Sequence, residues 1–263
     1  ILFSRNIENE NQLRKLTSDL QRIAKSAGHK QDLLIAIDQE NGLVTRIKSP
    51  IAIQLPGSMA LGATRDPENA YQAAFATAEM LKSFGIHMNY APVADVNSEP
   101  RNPVIGVRSF SDEPETVGQF VAAQLKGFQR AGVIPCVKHF PGHGDTAVDS
   151  HFGLPVINKL RSDLEACELI PFRRAVAEGV DAMMTAHIVI PAIGDSEGTL
   201  PASLSPAIVR MIRGEMKYQG LIITDCLEMD GVRGPFGTAN AAVRALKVST
   251  NSSYNQLPTN GKF

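Results

Sequence analysis

Short, almost wholly apolar runs alternate along the chain with longer segments that repeat an apolar residue every three or four positions. The runs fall at 1–4, 33–38, roughly 87–93, 133–138, 181–187 and 220–225. Side chains alternate between the two faces of a strand, so a run with no polar half predicts a strand covered on both sides, as in a parallel sheet. Between the runs, Leu13, Leu16, Leu20 and Ile23 share one helical stripe. Tyr71, Phe75, Ala78 and Leu81 form a second, and Val117, Val121 and Phe128 a third. Ser162 with Glu165 reads as a capping box, and Ser205 before Pro206 as a cap with a first-turn proline.

Strands that alternate with amphipathic helices predict an α/β fold with a parallel sheet. Polar residues gather where the runs stop: Asp38-Gln39-Glu40, Asp95-Val96-Asn97, Lys138-His139, His187 and Asp225. In a (β/α)8 barrel those ends share one mouth, where the chemistry sits. An open doubly wound sheet would carry a GxGxxG turn after its first strand, and the sequence has none. The expected fold is therefore a (β/α)8 TIM-type barrel. About six strands are counted where closure needs eight, so the barrel is expected to be incomplete, with the first and last βα units missing or degraded. Its two open sheet edges predict poor solubility. Residues 1–247 form the expected catalytic domain, and 248–263 read as a polar, disordered tail.

Composition narrows the function. The 263 residues are 43% hydrophobic and 20% charged, with a formal net charge of −1. No basic run or stripe is present, which argues against nucleic acid or an anionic membrane as partner. No apolar run approaches the ~20 residues that cross a bilayer. The three cysteines, Cys136, Cys167 and Cys226, are far apart and form no CxxC pair, so neither a zinc knuckle nor a disulfide framework is indicated. Reduced thiols in a cytosol-like compartment fit best, although a secreted enzyme with free buried thiols is also compatible. Ile1-Leu2-Phe3 looks like a strand interior, with no initiator Met or signal peptide in view. Oligomeric state is left open.

Residues 138–155 are the densest in chemistry. They hold three of the six histidines, two aspartates and three glycines in eighteen positions. Glycine-rich backbone after a buried strand allows close approach to a ligand. His151, two residues from Asp149, is a candidate general acid/base, because an imidazole titrates near neutrality and a carboxylate can orient it. Asp225 ends an apolar run and could attack an electrophilic carbon, although capping the next helix is the plainer role. His139, His143, Asp145, Asp149 and His151 could instead hold zinc or manganese, but HExxH and HxHxDH spacings are absent. Asp38, Arg46, Arg108, Lys138 and His139 each suit an ordinary ion pair. Together they would supply the directional hydrogen bonds that a sugar's hydroxyls require.

Lys138-His-Phe-Pro-Gly-His-Gly144 with Asp149-Ser-His151 resembles the signature of glycoside hydrolase family 3, in its β-N-acetylglucosaminidase branch (the NagZ type). Ile37-Asp-Gln-Glu, Leu55-Pro-Gly-Ser-Met59, Tyr90-Ala-Pro-Val-Ala-Asp95, Asn102-Pro-Val-Ile-Gly106, Arg108-Ser-Phe110 and Thr224-Asp225 agree with it, over about residues 1–247. The resemblance implies Asp225 as nucleophile, His151 as acid/base and Asp149 as its dyad partner. It places sugar contacts on Asp38, Arg46, Arg108, Lys138 and His139. The implied substrate is an N-acetylglucosamine-containing glycoside, cleaved with retention through a glycosyl-aspartate, without metal or organic cofactor. Asn41 and Cys226 depart from the family pattern, where many members have glycine and aspartate. A histidine acid/base does not repel an anionic acceptor, so a phosphorylase with the same intermediate is an alternative. An inactive carbohydrate-binding fragment and a metal-dependent hydrolase complete the set. EDTA separates the last of these: hydrolysis of a chromogenic β-N-acetylglucosaminide is expected to survive it, and a loss restored by zinc would select the metal cluster.

Overall fold

The computed structural model describes residues 1–146, 153–193 and 199–250. Five parallel strands form one curled sheet, a half-barrel: β1 (Ala36–Ile37), β2 (Met88–Asn89), β3 (Ile134–Phe140), β4 (Ala182–Thr185) and β5 (Leu221–Thr224), in the order of the chain. Ala36 lies opposite Met88, Met88 opposite Ile134, Cys136 opposite Ala182, and Ala182 opposite Leu221. Parallel neighbours need a crossover between them, usually helical. The helices are α1 (Glu10–Ser26), α2 (Ser58–Ala63), α3 (Pro67–Ser83), α4 (Pro114–Ala131), α5 (Arg161–Ala166), α6 (Leu169–Ala177), α7 (Pro206–Arg210), α8 (Asp230–Phe236) and α9 (Thr238–Thr250).

Five of the six expected strands join the sheet. The run at 1–4 gives only one bridge, Leu2 to Ile37, before a 3-10 turn at Ser4–Asn6. In that turn Asn6 Oδ1 accepts from Phe3 N at 2.9 Å, which ends extended pairing. β1 and β2 are shorter than their apolar runs because a side chain takes over the ladder. Asn89 Oδ1 accepts from Gln39 N at 2.9 Å, and Asn89 Nδ2 donates to Gln39 O at 2.8 Å. The expectation of strands covered on both sides is met for β1 to β4. Val137, Phe140 and Met183 pack in the main core, while Ala36, Met88, Cys136, Ala182 and Met184 pack together in another cluster. β5 differs, with Leu221 exposed and Ile222 to Thr224 half-buried.

The helices show where periodicity suffices. α4 buries Val117, Val121 and Phe128 as expected. On α1, Leu13, Thr17 and Ala24 are buried and Leu16 and Leu20 partly so, but Ile23 is exposed. Ile23 lies about 80° around the helix from Leu13, at the margin of the stripe. On α3, Ala78 and Leu81 are buried while Tyr71 and Phe75 are only half-covered. The Ser162–Glu165 capping box does not form. α5 begins two residues early, so Leu160 holds the cap position and Arg161 Nε binds Glu165 Oε1 at 3.1 Å. Ser205 does cap α7, accepting from Ile208 N at 3.4 Å with Pro206 in the first turn. The expected tail from 248 starts inside α9, and its residues 251–263 lie outside the described residues.

Tight contact between α3 and α4 explains the alanines of α3. A Cβ on Gly127 would lie 2.5 Å from Tyr71 O and 2.8 Å from Ala74 Cβ. Backbone cannot swing aside as a side chain can, so the helices would have to part. Gly127→Ala is expected to destabilise the fold by about 1–3 kcal/mol despite alanine's better helix propensity, measured by urea unfolding. An unchanged midpoint would show that the interface tolerates a methyl group.

Candidate active site

The site is built on the C-terminal ends of the strands, and Lys138 lies at its centre. Its side chain is 2% exposed, with Nζ 2.8 Å from Asp38 Oδ1 and 2.6 Å from Glu40 Oε1. Glu40 also takes a two-pronged contact from Arg108, with Nε to Oε2 at 2.9 Å and Nη2 to Oε1 at 2.8 Å. Arg46 Nη2 reaches the other oxygen of Asp38 at 3.4 Å. Gln39 shapes this segment: its Oε1 accepts from the amides of Arg46 and Ile47 at 2.9 and 3.0 Å.

His139 joins the same network. Its Nε2 lies 3.3 Å from Arg108 Nη2, and its Nδ1 lies 2.7 Å from Asp95 Oδ2. A guanidinium only donates and a carboxylate only accepts, so the tautomer that satisfies both carries its proton on Nδ1. Asp95 is fully buried and also accepts from the amides of His139 and His143, at 3.2 and 2.7 Å. It folds the chain back at the start of the glycine-rich loop. All five expected sugar contacts (Asp38, Arg46, Arg108, Lys138 and His139) are therefore brought together.

Electrostatics keep this network ionised. Burial pushes the Glu40 carboxyl up, but Lys138 and Arg108 outweigh it and hold the group well below the usual carboxylate range. Burial pushes Lys138 down, and Asp38 and Glu40 more than reverse this, so its ammonium stays charged. Asp95 is held low against burial by His139, then His143. His143 goes the other way: burial and the neighbouring His139 bring it down to about 4, so it is neutral at pH 7.

The start of the loop is described and its centre is not. Asp149 and His151 lie outside the described residues. A Cβ on Gly144 would sit 1.6 Å from Val96 O, which explains why the loop needs glycine where it crosses that backbone. Asn102 Nδ2 donates to His143 O at 2.8 Å, and His143 Nδ1 lies 2.9 Å from Thr146 Oγ1. Lys159 Nζ joins Asp145 at 3.3 Å to Glu168 at 2.6 Å. These bonds engage His143 and Asp145, as Asp95 engages His139, and no grouping of three or more candidate metal ligands occurs among the described residues.

Asp225 follows β5, anchored by its amide to Thr185 O at 3.0 Å. It is not a helix cap, because α8 begins at Asp230 with Met229 before it. Its Oδ1 accepts from the Cys226 amide at 2.7 Å, and Oδ2 has no hydrogen-bond donor among the described residues. Burial raises the carboxyl, but His139, His187, the Cys226 amide and Lys138 together hold it below its ordinary value. The nucleophile candidate and the sugar-contact candidates thus share one electrostatic environment. Sequence reasoning missed Glu40 and Asp95 as members of the site, though both stand in the polar clusters that close apolar runs. It noted His187 only as such an end, and nothing marked Ser203.

Comparison with known proteins adds a second line. The family profile described as "Glycosyl hydrolase family 3 N terminal domain" matches residues 1–253. Beta-hexosaminidase A of Pseudoalteromonas piscicida is 40% identical over 264 residues, covering 95% of this chain and 44% of that protein. A glycoside hydrolase family 3 beta-N-acetylglucosaminidase from Paenibacillus sp. superposes with a TM-score of 0.91 at 46% identity, covering 94% of this chain and 46% of that one. NagZ from Neisseria gonorrhoeae, in complex with N-trifluoroacetyl-D-glucosamine, superposes with a TM-score of 0.81 at 33% identity, covering 94% and 70%. The chain spans less than half the length of the first two.

Removing one member of a buried ion pair strands the others, at a cost of about 3–5 kcal/mol. Glu40→Gln is expected to destabilise the fold by that order at pH 7. Because the Glu40 carboxyl is depressed in the fold, its contribution is complete above its ordinary value of 4.5 and fades as pH falls below it. Urea unfolding of both proteins should therefore show the difference shrinking on acidification, and a gap that widens instead would contradict the assignment.

Proposed function

From the premise that this chain belongs to glycosyl hydrolase family 3, through that family's N-terminal domain, we propose that it carries the catalytic site of a retaining β-N-acetylhexosaminidase. The substrate is a glycoside with a terminal β-linked N-acetylglucosamine. The observation that carries this reading is the state of Asp225: a carboxylate held ionised, with one oxygen bonded to an amide and the other without a donor among the described residues. A nucleophile needs both charge and an available lone pair. The names of the relatives, beta-hexosaminidase and beta-N-acetylglucosaminidase, supply the sugar.

In the first step Asp225 Oδ2 attacks the anomeric carbon, and the bond to the leaving oxygen breaks as an acid protonates that oxygen. In the second, a water molecule loses its proton to the same group and displaces the aspartate, so configuration is retained. The motif resemblance gives the acid/base role to His151, steered by Asp149. Asp38 accepts from sugar hydroxyls, while Arg46, Arg108, Lys138 and His139 bind and orient the ring. That division follows from donor chemistry, since carboxylates accept and guanidinium and ammonium groups donate. Residues 1–247 act as the catalytic domain, and β1 to β5 with the Leu2 bridge occupy consecutive places in the wall of a (β/α)8 barrel. No helix among the described residues is long and apolar enough to cross a membrane.

The test is cleavage of 4-nitrophenyl N-acetyl-β-glucosaminide by the 263-residue chain and by any longer gene product that contains it. Asp225→Ala is expected to lower kcat by about 10⁴-fold or more. The acid limb of kcat/KM due to this carboxyl should lie below 3.8, its ordinary value, because the active form is the ionised one. Retention of the wild-type rate by Asp225→Ala would overturn the assignment. Formation of N-acetylglucosamine 1-phosphate in phosphate buffer would make the enzyme a phosphorylase with the same covalent step.

A further inference from the structure

Behind Asp225 lies a buried line of hydrogen bonds that the proposed reaction does not itself use. His187 stands two residues beyond β4 and is fully buried. The chain on either side of it is fastened to the 3-10 turn Ala202–Leu204: Ala202 N donates to Ile188 O at 2.8 Å, and Ser203 N to Ala186 O at 3.0 Å. One edge of the imidazole meets Ser203, with Nδ1 2.7 Å from Oγ. The opposite edge meets the backbone after the nucleophile, with Nε2 2.8 Å from Cys226 O. A carbonyl only accepts, so Nε2 carries a hydrogen. In the neutral ring Nδ1 then takes the Ser203 hydroxyl hydrogen.

Cys226 is gripped on both sides. Its carbonyl accepts from His187, and its amide donates to Asp225 Oδ1 at 2.7 Å. Its side chain is exposed, so packing of the thiol does not hold the residue in place. Two soft torsions separate the amide from the carbonyl of one residue. Fixing the carbonyl, with Asp225 N already tied to Thr185 O, sets the direction in which the amide points.

We propose that His187, its ring locked by Ser203, is a positioning residue for the reaction: it anchors Cys226 so that this residue's amide restrains Oδ1 of Asp225 and leaves Oδ2 to attack. This rests on Asp225 being the nucleophile. The effect falls on orientation of the reacting atom, not on binding of the sugar, which the residues around Lys138 provide. A displacement of about 1 Å in a reacting group can cost about 10²-fold in rate. Asp225 is also faced by His139 and Lys138 of β3 and lies within the field of Arg108, so its ionisation does not depend on His187 alone.

The experiment combines kinetics with a direct measurement on the carboxyl. His187→Leu removes the donor, His187→Gln places an amide N–H near the position of Nε2, and Ser203→Ala only unlocks the ring. Each is compared with wild type on 4-nitrophenyl N-acetyl-β-glucosaminide, and the Asp225 ¹³C-carboxyl resonance is titrated in the same proteins, identified by its loss in Asp225→Asn. His187→Leu is expected to lose about 10²-fold in kcat with KM changed less than about threefold, and its Asp225 midpoint should move up. His187→Gln should recover much of the rate, and Ser203→Ala should lose about fivefold. The proposal is overturned if kcat and the Asp225 midpoint are unmoved in His187→Leu and Ser203→Ala. It is equally overturned if, at unchanged thermal stability, Gln serves no better than Leu or KM rises in step with the loss. A wild-type protein that cleaves no N-acetylglucosaminide refutes the assigned reaction instead, and the Asp225 titration then still decides the anchoring.

Discussion

An ammonium group buried between two carboxylates organises the mouth of this sheet. Lys138 is all but removed from water, and an isolated charge there would cost several kcal/mol. Asp38 and Glu40 offset that cost at 2.8 and 2.6 Å. Because Glu40 also receives Arg108 in a two-pronged contact, the same interaction ties the end of β1 to β3 and to the 3-10 turn Gly106–Arg108. Arg108 in turn faces His139, and His139 faces Asp95. Glu40, Lys138 and Asp95 are held ionised by their neighbours, and the tautomer of His139 is set by Asp95 and Arg108. The site is preorganised as a unit before any ligand arrives.

That preorganisation has a sign. Lys138, Arg46 and Arg108 stand against Asp38, Glu40, Asp95 and Asp225, three formal cations against four formal anions. A small surplus of negative charge suits the transition state with oxocarbenium character that the proposed reaction would pass through. His139, His187, the Cys226 amide and Lys138 hold the half-buried Asp225 carboxyl below its ordinary value, and the carboxylates would keep the cations from opposing the positive centre that the proposed reaction develops. Glycine serves the same geometry by steric means, since the loop after β3 crosses Val96 where a Cβ has no room.

Much of the site could be read from the chain because its polar residues stand at the ends of apolar runs. The five expected sugar contacts and Asp225 are all of that kind or sit in motifs beside them, and the structure gathers them. Glu40 and Asp95 were visible as members of the same clusters, but nothing local distinguished them from solvated strand ends. Ser203 carried no signal, because a serine in an apolar turn has many ordinary uses. The helix errors have local causes: Ile23 sits at the edge of its stripe, and Glu165 is taken by Arg161 before Ser162 can use it.

By itself the sequence determined the alternation of strand and helix, the sidedness of most helices and the residue types available at the sheet's mouth, since those follow from periodicity and from steric limits between near neighbours. Tertiary structure alone decided which charge meets which. Glu40 reaches Lys138 and Arg108, Asp95 reaches His139, and His187 joins Ser203 to Cys226, across long stretches of intervening chain. Coulomb energies and hydrogen bonds depend on distance through space and on the exclusion of water. Neither quantity exists until the strands lie side by side.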